Sequence, residues 1–179
     1  MKKQRIPAII ALITLILLVC SGCVVEIAVP EVKEGYFDVS VTYEINGEVE
    51  NYYGVYVCEY IGTRTSVYGS RRMWDYYVEG ADDVAAIIVG DTYDGGVIYI
   101  DFGYYPDYLM SDPDCTSGTP EVNLYVTFTE NEYGMSVNGD EEEIFEKYGV
   151  KVISYYYDSP IENTYTPQWS ISRIDPSIN

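Results

Sequence analysis

The sequence predicts a mainly β protein built as an antiparallel β-sandwich, with at most one short helix near residues 140–148 and an N-terminal signal helix outside the domain. Three observations carry that expectation. Short stretches of alternating polar and apolar residues recur along the chain, and clusters of Gly, Pro, Asn and Asp separate them at intervals of roughly ten residues. Good β-formers dominate, with 21 tyrosines in an aromatic share of 15%. The hydrophobic share of 47% keeps the chain out of the low-hydrophobicity class that stays unfolded, despite its charge.

Lys2, Lys3 and Arg5 form a positive n-region, and Ile6 to Val19 is an uncharged, almost wholly apolar h-region. That run is too short and wrongly flanked for a stop-transfer helix and reads as a secretory signal peptide. It ends in Cys20-Ser21-Gly22-Cys23. Small residues there let an extended backbone enter a peptidase, and a thiolate is the best available nucleophile for taking a lipid. The segment resembles the bacterial lipobox, whose last cysteine is acylated on sulfur and becomes the first residue after cleavage. Ser21, Gly22 and Cys23 match; Cys20 stands where an aliphatic residue is usual. The resemblance implies a signal peptide over 1–22 and a lipoprotein carrying diacylglyceryl and palmitate at Cys23. It would sit on the extracytoplasmic face of the cell membrane, held by more than the single chain that anchors only weakly. An uncleaved signal anchor with Cys23 as a plain thiol is the other reading.

Removing residues 1–22 of 179 leaves 157, one domain's length of chain. A spacer over 23–35 and a single domain over 36–179 are expected. Three of the ten basic residues and none of the 29 acidic ones lie in the leader, so the remainder carries seven basic against 29 acidic side chains, a net charge of −22. Such a charge argues against nucleic acid and against lying flat on anionic lipid, both of which are polyanions. Cations or basic partners remain, and a protein or glycan partner is the expectation. Histidine is absent, which removes the usual general base near neutral pH, so no enzymatic activity is expected. With Cys20 in the leader and Cys23 lipidated, Cys58 and Cys115 are left: a candidate disulfide in an exported domain, or alternatively two buried thiols.

Val24 to Glu34 reads as the spacer, because Pro30 and its neighbouring charges interrupt strand character. Order is expected from Tyr36. Asp38 to Ile45 alternates without error and meets Asn46-Gly47, two residues tolerant of positive φ, so a hairpin follows. A two-residue turn pairs Ile45 with Glu48 and Tyr43 with Glu50, and places Tyr52, Tyr56 and Cys58 on the inward face with Val39 and Val41. Further strands are expected at Thr63 to Tyr68 after Gly62, at Arg71 to Val78, and at Val84 to Val89, which is apolar on both faces and reads as central. Asp91 to Gly96 is a turn before a strand from Val97 to Phe102. Gly103 to Pro120 is the longest irregular segment, and binding residues gather on such loops.

Val122 to Thr129 alternates as a half-buried strand. Asn138-Gly139 is a second turn signal, and Asp140 to Tyr148 reads as a short helix with acids first, Lys147 last and Gly149 as its stop. Strands at Val150 to Tyr157 and Trp169 to Ile174 close the chain. The frame aliphatic-Asn-Gly-acid leading to Tyr-Gly-Val occurs twice, from Ile45 and from Val137; unequal spacers favour shared turn chemistry over the alternative, pseudo-symmetry between two sheets. The pattern fits an immunoglobulin-like or related sandwich, with a partly closed barrel as the alternative. Its Asn46 to Glu48 hairpin, Asp112-Pro113-Asp114 segment and Lys147-Tyr148-Gly149-Val150 strand make the mature region similar to the uncharacterised lipoproteins of Gram-positive, largely anaerobic bacteria, a likeness that brings no assigned activity.

Aromatic faces stack on sugar rings or pack into partners, so Trp74, Tyr76, Tyr104, Tyr105 and Tyr108 form a candidate binding set, with Arg71 and Arg72 as anchors for an acidic or carbohydrate group. The alternation of Arg72, Trp74 and Tyr76 also fits Trp74 as the core tryptophan of the sandwich. Asp91, Asp94, Asp112 and Asp114 are only candidate calcium ligands, since the spaced Asp-x-Asp-x-Asp-Gly pattern is missing, and no other cofactor is expected. Carboxylates are too common to nominate a glycosidase pair. The expected function is a lipid-anchored extracytoplasmic binding or interaction module. The alternative is a small carbohydrate-binding or calcium-dependent surface protein, with a glycan-active enzyme ranked lower. Labelling with an alkynyl palmitate analogue is expected to mark the wild-type protein and not Cys23→Ser; an unlabelled wild type would refute the anchor.

Overall fold

The computed structural model describes residues 24–66, 69–128, 135–137 and 141–171. The expected signal peptide over 1–22, Cys23, the expected Asn138-Gly139 turn and the expected Asp140 cap lie outside the described residues. Among the described residues the protein is an antiparallel β-sandwich. One sheet has the order β4(Gly69–Glu79), β3(Glu48–Ser66), β2(Glu34–Ile45), β9(Val150–Tyr157). The other runs β5(Ala86–Asp91), β6(Gly96–Asp101), β7(Asn123–Phe128), β8(Met135–Val137). A two-stranded ribbon joins β1(Val24–Pro30) to β10(Tyr165–Ile171), and two helices, α1(Pro106–Leu109) and α2(Glu141–Tyr148), complete the set.

The hairpin at Asn46-Gly47 follows directly from its turn chemistry. Both residues have positive φ, 53° and 82°, as a two-residue turn between twisted strands requires. Ile45 pairs with Glu48 and Tyr43 with Glu50, and the alternation then sends Phe37, Val39, Val41, Tyr56 and Cys58 into the core. The second sheet answers with the row Ile87, Ile100 and Leu124 and the pair Ile98 and Val126. Period-2 alternation on two facing sheets is what makes this core, because each strand commits one face to it.

Several elements differ from the sequence expectation, each for a physical reason. Val24 to Pro30 is a strand rather than an irregular spacer. Pro30 closes it opposite Tyr165, and a strand paired on one side only tolerates the missing N–H. Gly62 does not end a strand. Its φ of +127° takes up a bulge in which Ile61 is the extra residue between Tyr60 and Gly62, so β3 continues to Ser66. The run from Val84 is not central: β5 is an edge strand beginning at Ala86, and Val84 and Ile88 are 53% and 47% exposed. Its first residues are spent on a turn, with Val78 donating to the Val84 carbonyl. The long loop contains a second helix, α1, opened by Pro106 at its first turn, where proline's fixed φ suits helix geometry.

That loop is tied to the first sheet by a buried tyrosine. The Tyr56 hydroxyl donates to the Gly103 carbonyl at 2.9 Å and accepts from the Tyr105 N–H at 3.1 Å. Tyr56→Phe keeps the ring and strips both backbone groups of their partner, at a cost of about 1–3 kcal/mol. Thermal unfolding should fall by roughly 2–4 °C for each kcal/mol in a chain of this size; an unchanged midpoint in a calorimetric scan would show that the loop does not depend on this hydroxyl.

Candidate functional site

The site is built where the start of β4 meets the loop from Gly103 to Pro120. Asp112 begins a tight turn in which its own Oδ1 accepts from the Asp114 N–H at 2.9 Å and its carbonyl accepts from the Cys115 N–H at 2.9 Å. An aspartate accepting two residues ahead, followed by proline, is the local signature of such a turn. The turn leaves the Asp112 carboxylate facing β4. There Arg72 Nε donates at 2.8 Å to both of its oxygens, Arg72 Nη2 reaches it as well, and Trp74 Nε1 donates to Oδ2 at 3.0 Å. The side chains of Arg72 and Asp112 are 5% and 4% exposed.

Arg72 is bound on every side. Its Nη2 also donates to Asp114 at 2.5 Å, its Nη1 donates to the Ala28 carbonyl at 3.0 Å, and its guanidinium lies 4.9 Å from the centre of the Tyr165 ring. Burial pushes the Asp112 carboxyl up, but the hydrogen bonds from Arg72 and Trp74 more than offset it and hold the group below the ordinary carboxylate range. The pair is a neutral, fully hydrogen-bonded unit, the arrangement that makes a buried charge tolerable.

Beside this unit lies a cleft of about 270 Å³ lined by Arg71, Met73, Trp74, Tyr104, Asp107 and Thr116, with Arg72, Asp112 and Asp114 in its wall. Trp74 contributes little surface, being 4% exposed. Its ring is buried, packed against Tyr60 with centroids 5.5 Å apart, so it is the core tryptophan of the first sheet. Tyr104 stands at the rim, 45% exposed, its ring perpendicular to Tyr76 with centroids 5.0 Å apart. Tyr76 in turn stacks on Tyr56. Arg71 is exposed and, among the described residues, makes no ion pair.

The expected binding residues therefore divide. Trp74, Tyr104 and Arg72 meet at the cleft, and Tyr76 supports Tyr104 from behind. Tyr105 and Tyr108 do not line it: Tyr105 packs edge-on against Tyr157, and Tyr108 rests on the core from α1. Met73, Asp107 and Thr116 belong to the cleft without any motif that marks them. Of the calcium candidates, Asp112 has both oxygens on Arg72, Asp114 has one there, and Asp94 is paired with Lys147 at 2.9 Å and accepts from the Tyr148 hydroxyl at 3.1 Å. Hydrogen bonds from Thr92 and Lys147 hold Asp94 at about 2. Asp91 is exposed at the end of β5. Among the described residues no group of three acidic or sulfur side chains converges on a metal position.

Cys58 and Cys115 are free thiols rather than a bridge. Cys58 is wholly enclosed in the core, where burial pushes its thiol up, and Cys115 is half-buried with its Sγ 3.5 Å from the Ser117 carbonyl. Comparison of the chain with protein-family models, with curated proteins and with solved structures finds no match.

Asp112→Asn leaves the buried guanidinium with only the exposed Asp114 as counter-charge, and should destabilise the fold by about 3 kcal/mol, the lower end for a broken buried pair. The pH dependence has a definite sign. Asp112 is held below its unfolded value, so its contribution is complete above about pH 4 and disappears as pH falls through the folded value. Urea unfolding of wild type and variant should show a constant gap from pH 7 down to about pH 4.5 and a shrinking one below; a gap unchanged down to pH 2 would mean that charge is not its source.

Proposed function

We propose that the protein is a lipid-anchored, extracytoplasmic binding module whose ligand enters the cleft beside Trp74. The observation that carries this reading is the contrast between the wall and the rim. The wall is held by Arg72, Asp112 and Trp74, whose polar groups are already satisfied by one another. At the rim, the Tyr104 ring and the Arg71 guanidinium stand free to meet a ligand, with Asp107 and Thr116 as neighbouring hydrogen-bonding groups. A rigid wall with a few convergent polar groups and an aromatic face is the ordinary form of a small-ligand site.

Among ligand classes, carbohydrate is the one this mixture favours. An aromatic ring offers a stacking face for a sugar, while Arg71 and Asp107 supply a donor and an acceptor for its hydroxyls or a uronic carboxylate. The calcium-dependent alternative has less support, because Asp112 and Asp114 already have Arg72 as their counter-charge. Retention of the protein in the membrane fraction through Cys23 belongs to the same reading.

Trp74 provides its own reporter. In a Trp169→Phe background it is the sole indole of the chain, since the sequence holds two tryptophans. Titration with a panel of neutral and uronic oligosaccharides should shift its emission, and Arg71→Ala or Tyr104→Ala should each weaken the binding about tenfold, the effect of losing roughly 1.4 kcal/mol. A panel that leaves the emission unchanged, or binding insensitive to both substitutions, would remove the cleft as the ligand site.

A further inference from the structure

The outer face of the first sheet, turned away from the core, carries a pattern that the cleft does not use. On β3 the inward residues are Tyr56 and Cys58, so Val57 between them points outward; it is 1% exposed and yet lies outside the core cluster. Its partners across the ladder are Tyr36 on β2 and Tyr77 on β4. Two rows further on, Ser40 is flanked in the same way by Tyr156 on β9 and Tyr53 on β3. All four tyrosines are exposed, from 44% to 76%. Strand spacing puts the members of each pair roughly 10 Å apart, and four residues of strand separate the rows by about 13 Å.

Acidic residues fill the remaining positions of this area. The register row before Tyr36 is Glu34, Glu59 and Asp75, and the row after it places Asp38 and Glu79 on either side of Val55. None of these five carboxylates is in an ion pair among the described residues. From Asp75 to Tyr156 every charged side chain on the face is therefore negative. Repulsion between such neighbours is a cost the isolated fold bears without return, because like charges facing each other across a sheet are destabilising.

We propose that this face docks an arginine- or lysine-rich segment of a partner protein. Cationic side chains are the group that satisfies both parts of the pattern, lying over tyrosine rings as cation–π partners and donating to the flanking carboxylates. A metal ion fits poorly: among the described residues no three of these carboxylates converge on one position, and the two acidic rows stand about 13 Å apart. An anionic membrane or nucleic acid would be repelled. The net charge of −22 on the chain after the leader draws a basic partner from a distance, and the tyrosine rows set where it lands.

The test uses the full-length protein and nona-arginine as the probe, with nona-glutamate as control, by calorimetric titration at 150 mM salt. Nona-arginine should bind and nona-glutamate should not. Glu59→Gln/Asp75→Asn/Glu79→Gln should weaken binding at least tenfold. Glu121→Gln/Glu146→Gln/Glu162→Gln, which removes the same charge elsewhere with near-isosteric side chains, should weaken it less than twofold. Tyr36→Ser/Tyr77→Ser should weaken it at least fivefold with the carboxylates intact. No binding to nona-arginine, or equal losses in the two charge variants, overturns the proposal. Self-association of the wild type abolished by Tyr36→Ser/Tyr77→Ser also overturns it, in favour of a face between two copies of the chain. Tyr104→Ala leaves this face intact, so failure of the cleft and failure of this surface are separately visible.

Discussion

A single buried guanidinium holds together parts of the chain that no ladder of backbone hydrogen bonds connects. Arg72 sits in the first sheet, and its partners are Asp112 and Asp114 from the long loop, Ala28 from β1 and the ring of Tyr165 from β10. An arginine that is 5% exposed has five N–H groups to satisfy, and a fixed planar fork can reach several acceptors at once where a lysine would meet them singly. The ribbon of β1 and β10 depends on this most, because two strands alone are marginal in water. The cleft depends on it as well, since Asp112 orients Trp74 only while the arginine keeps that carboxylate charged and in place.

Tyrosine does for the irregular segments what Arg72 does for the loop turn. Besides Tyr56, the Tyr157 hydroxyl donates to the Phe102 carbonyl at 2.7 Å, Tyr165 to the Met110 carbonyl at 2.8 Å and Tyr52 to the Glu79 carbonyl at 3.1 Å. Each acceptor lies where a strand or helix ends and its carbonyl would otherwise need water. A phenylalanine would fill the same space and leave those carbonyls unpaired, which accounts for part of the excess of 21 tyrosines over four phenylalanines. The exposed tyrosines of the outer sheet face are a separate population, making no such backbone contact at Tyr36 or Tyr156, whose hydroxyls donate instead to Glu34 and Asp158. The Glu34 contact holds the Tyr36 phenol up at about 12, so the ring stays neutral at any ordinary pH.

How much could be read from the residues follows the range of the interactions. The Asn46-Gly47 hairpin, its register and the inward direction of Cys58 were legible because a two-residue turn and period-2 alternation are local rules. β1 was not, since its partner strand lies some 140 residues away and Pro30 argues against pairing until the strand proves to have only one neighbour. Gly62 reads as a break, and only its pairing with Met73 reveals a bulge. At the cleft, Trp74, Arg72 and Tyr104 could be named as residue types suited to binding, but the contact between Arg72 and Asp112, forty positions apart, carries no signal in one sequence. Tyr105 and Tyr108 fall outside the cleft for a traceable reason: Pro106 starts a short helix, and both tyrosines pack against the core.

The ribbon also changes how an anchor at Cys23 would act. If that cysteine carries lipid, as proposed, the first residue after it is already paired, Val24 opposite Ile171, and no loose tether separates membrane from fold. Arg72 fixes the ribbon at Ala28, and the four residues back to Val24 span about 13 Å of extended strand. Charges at a surface are screened over about 8 Å at physiological ionic strength. A paired strand of that length is therefore enough to carry a strongly acidic domain beyond most of the repulsion from an anionic bilayer, and it does so with less conformational entropy than a flexible spacer of equal reach. A stiff stalk would also keep a bound partner at a set distance from the membrane, which a random-coil tether would not.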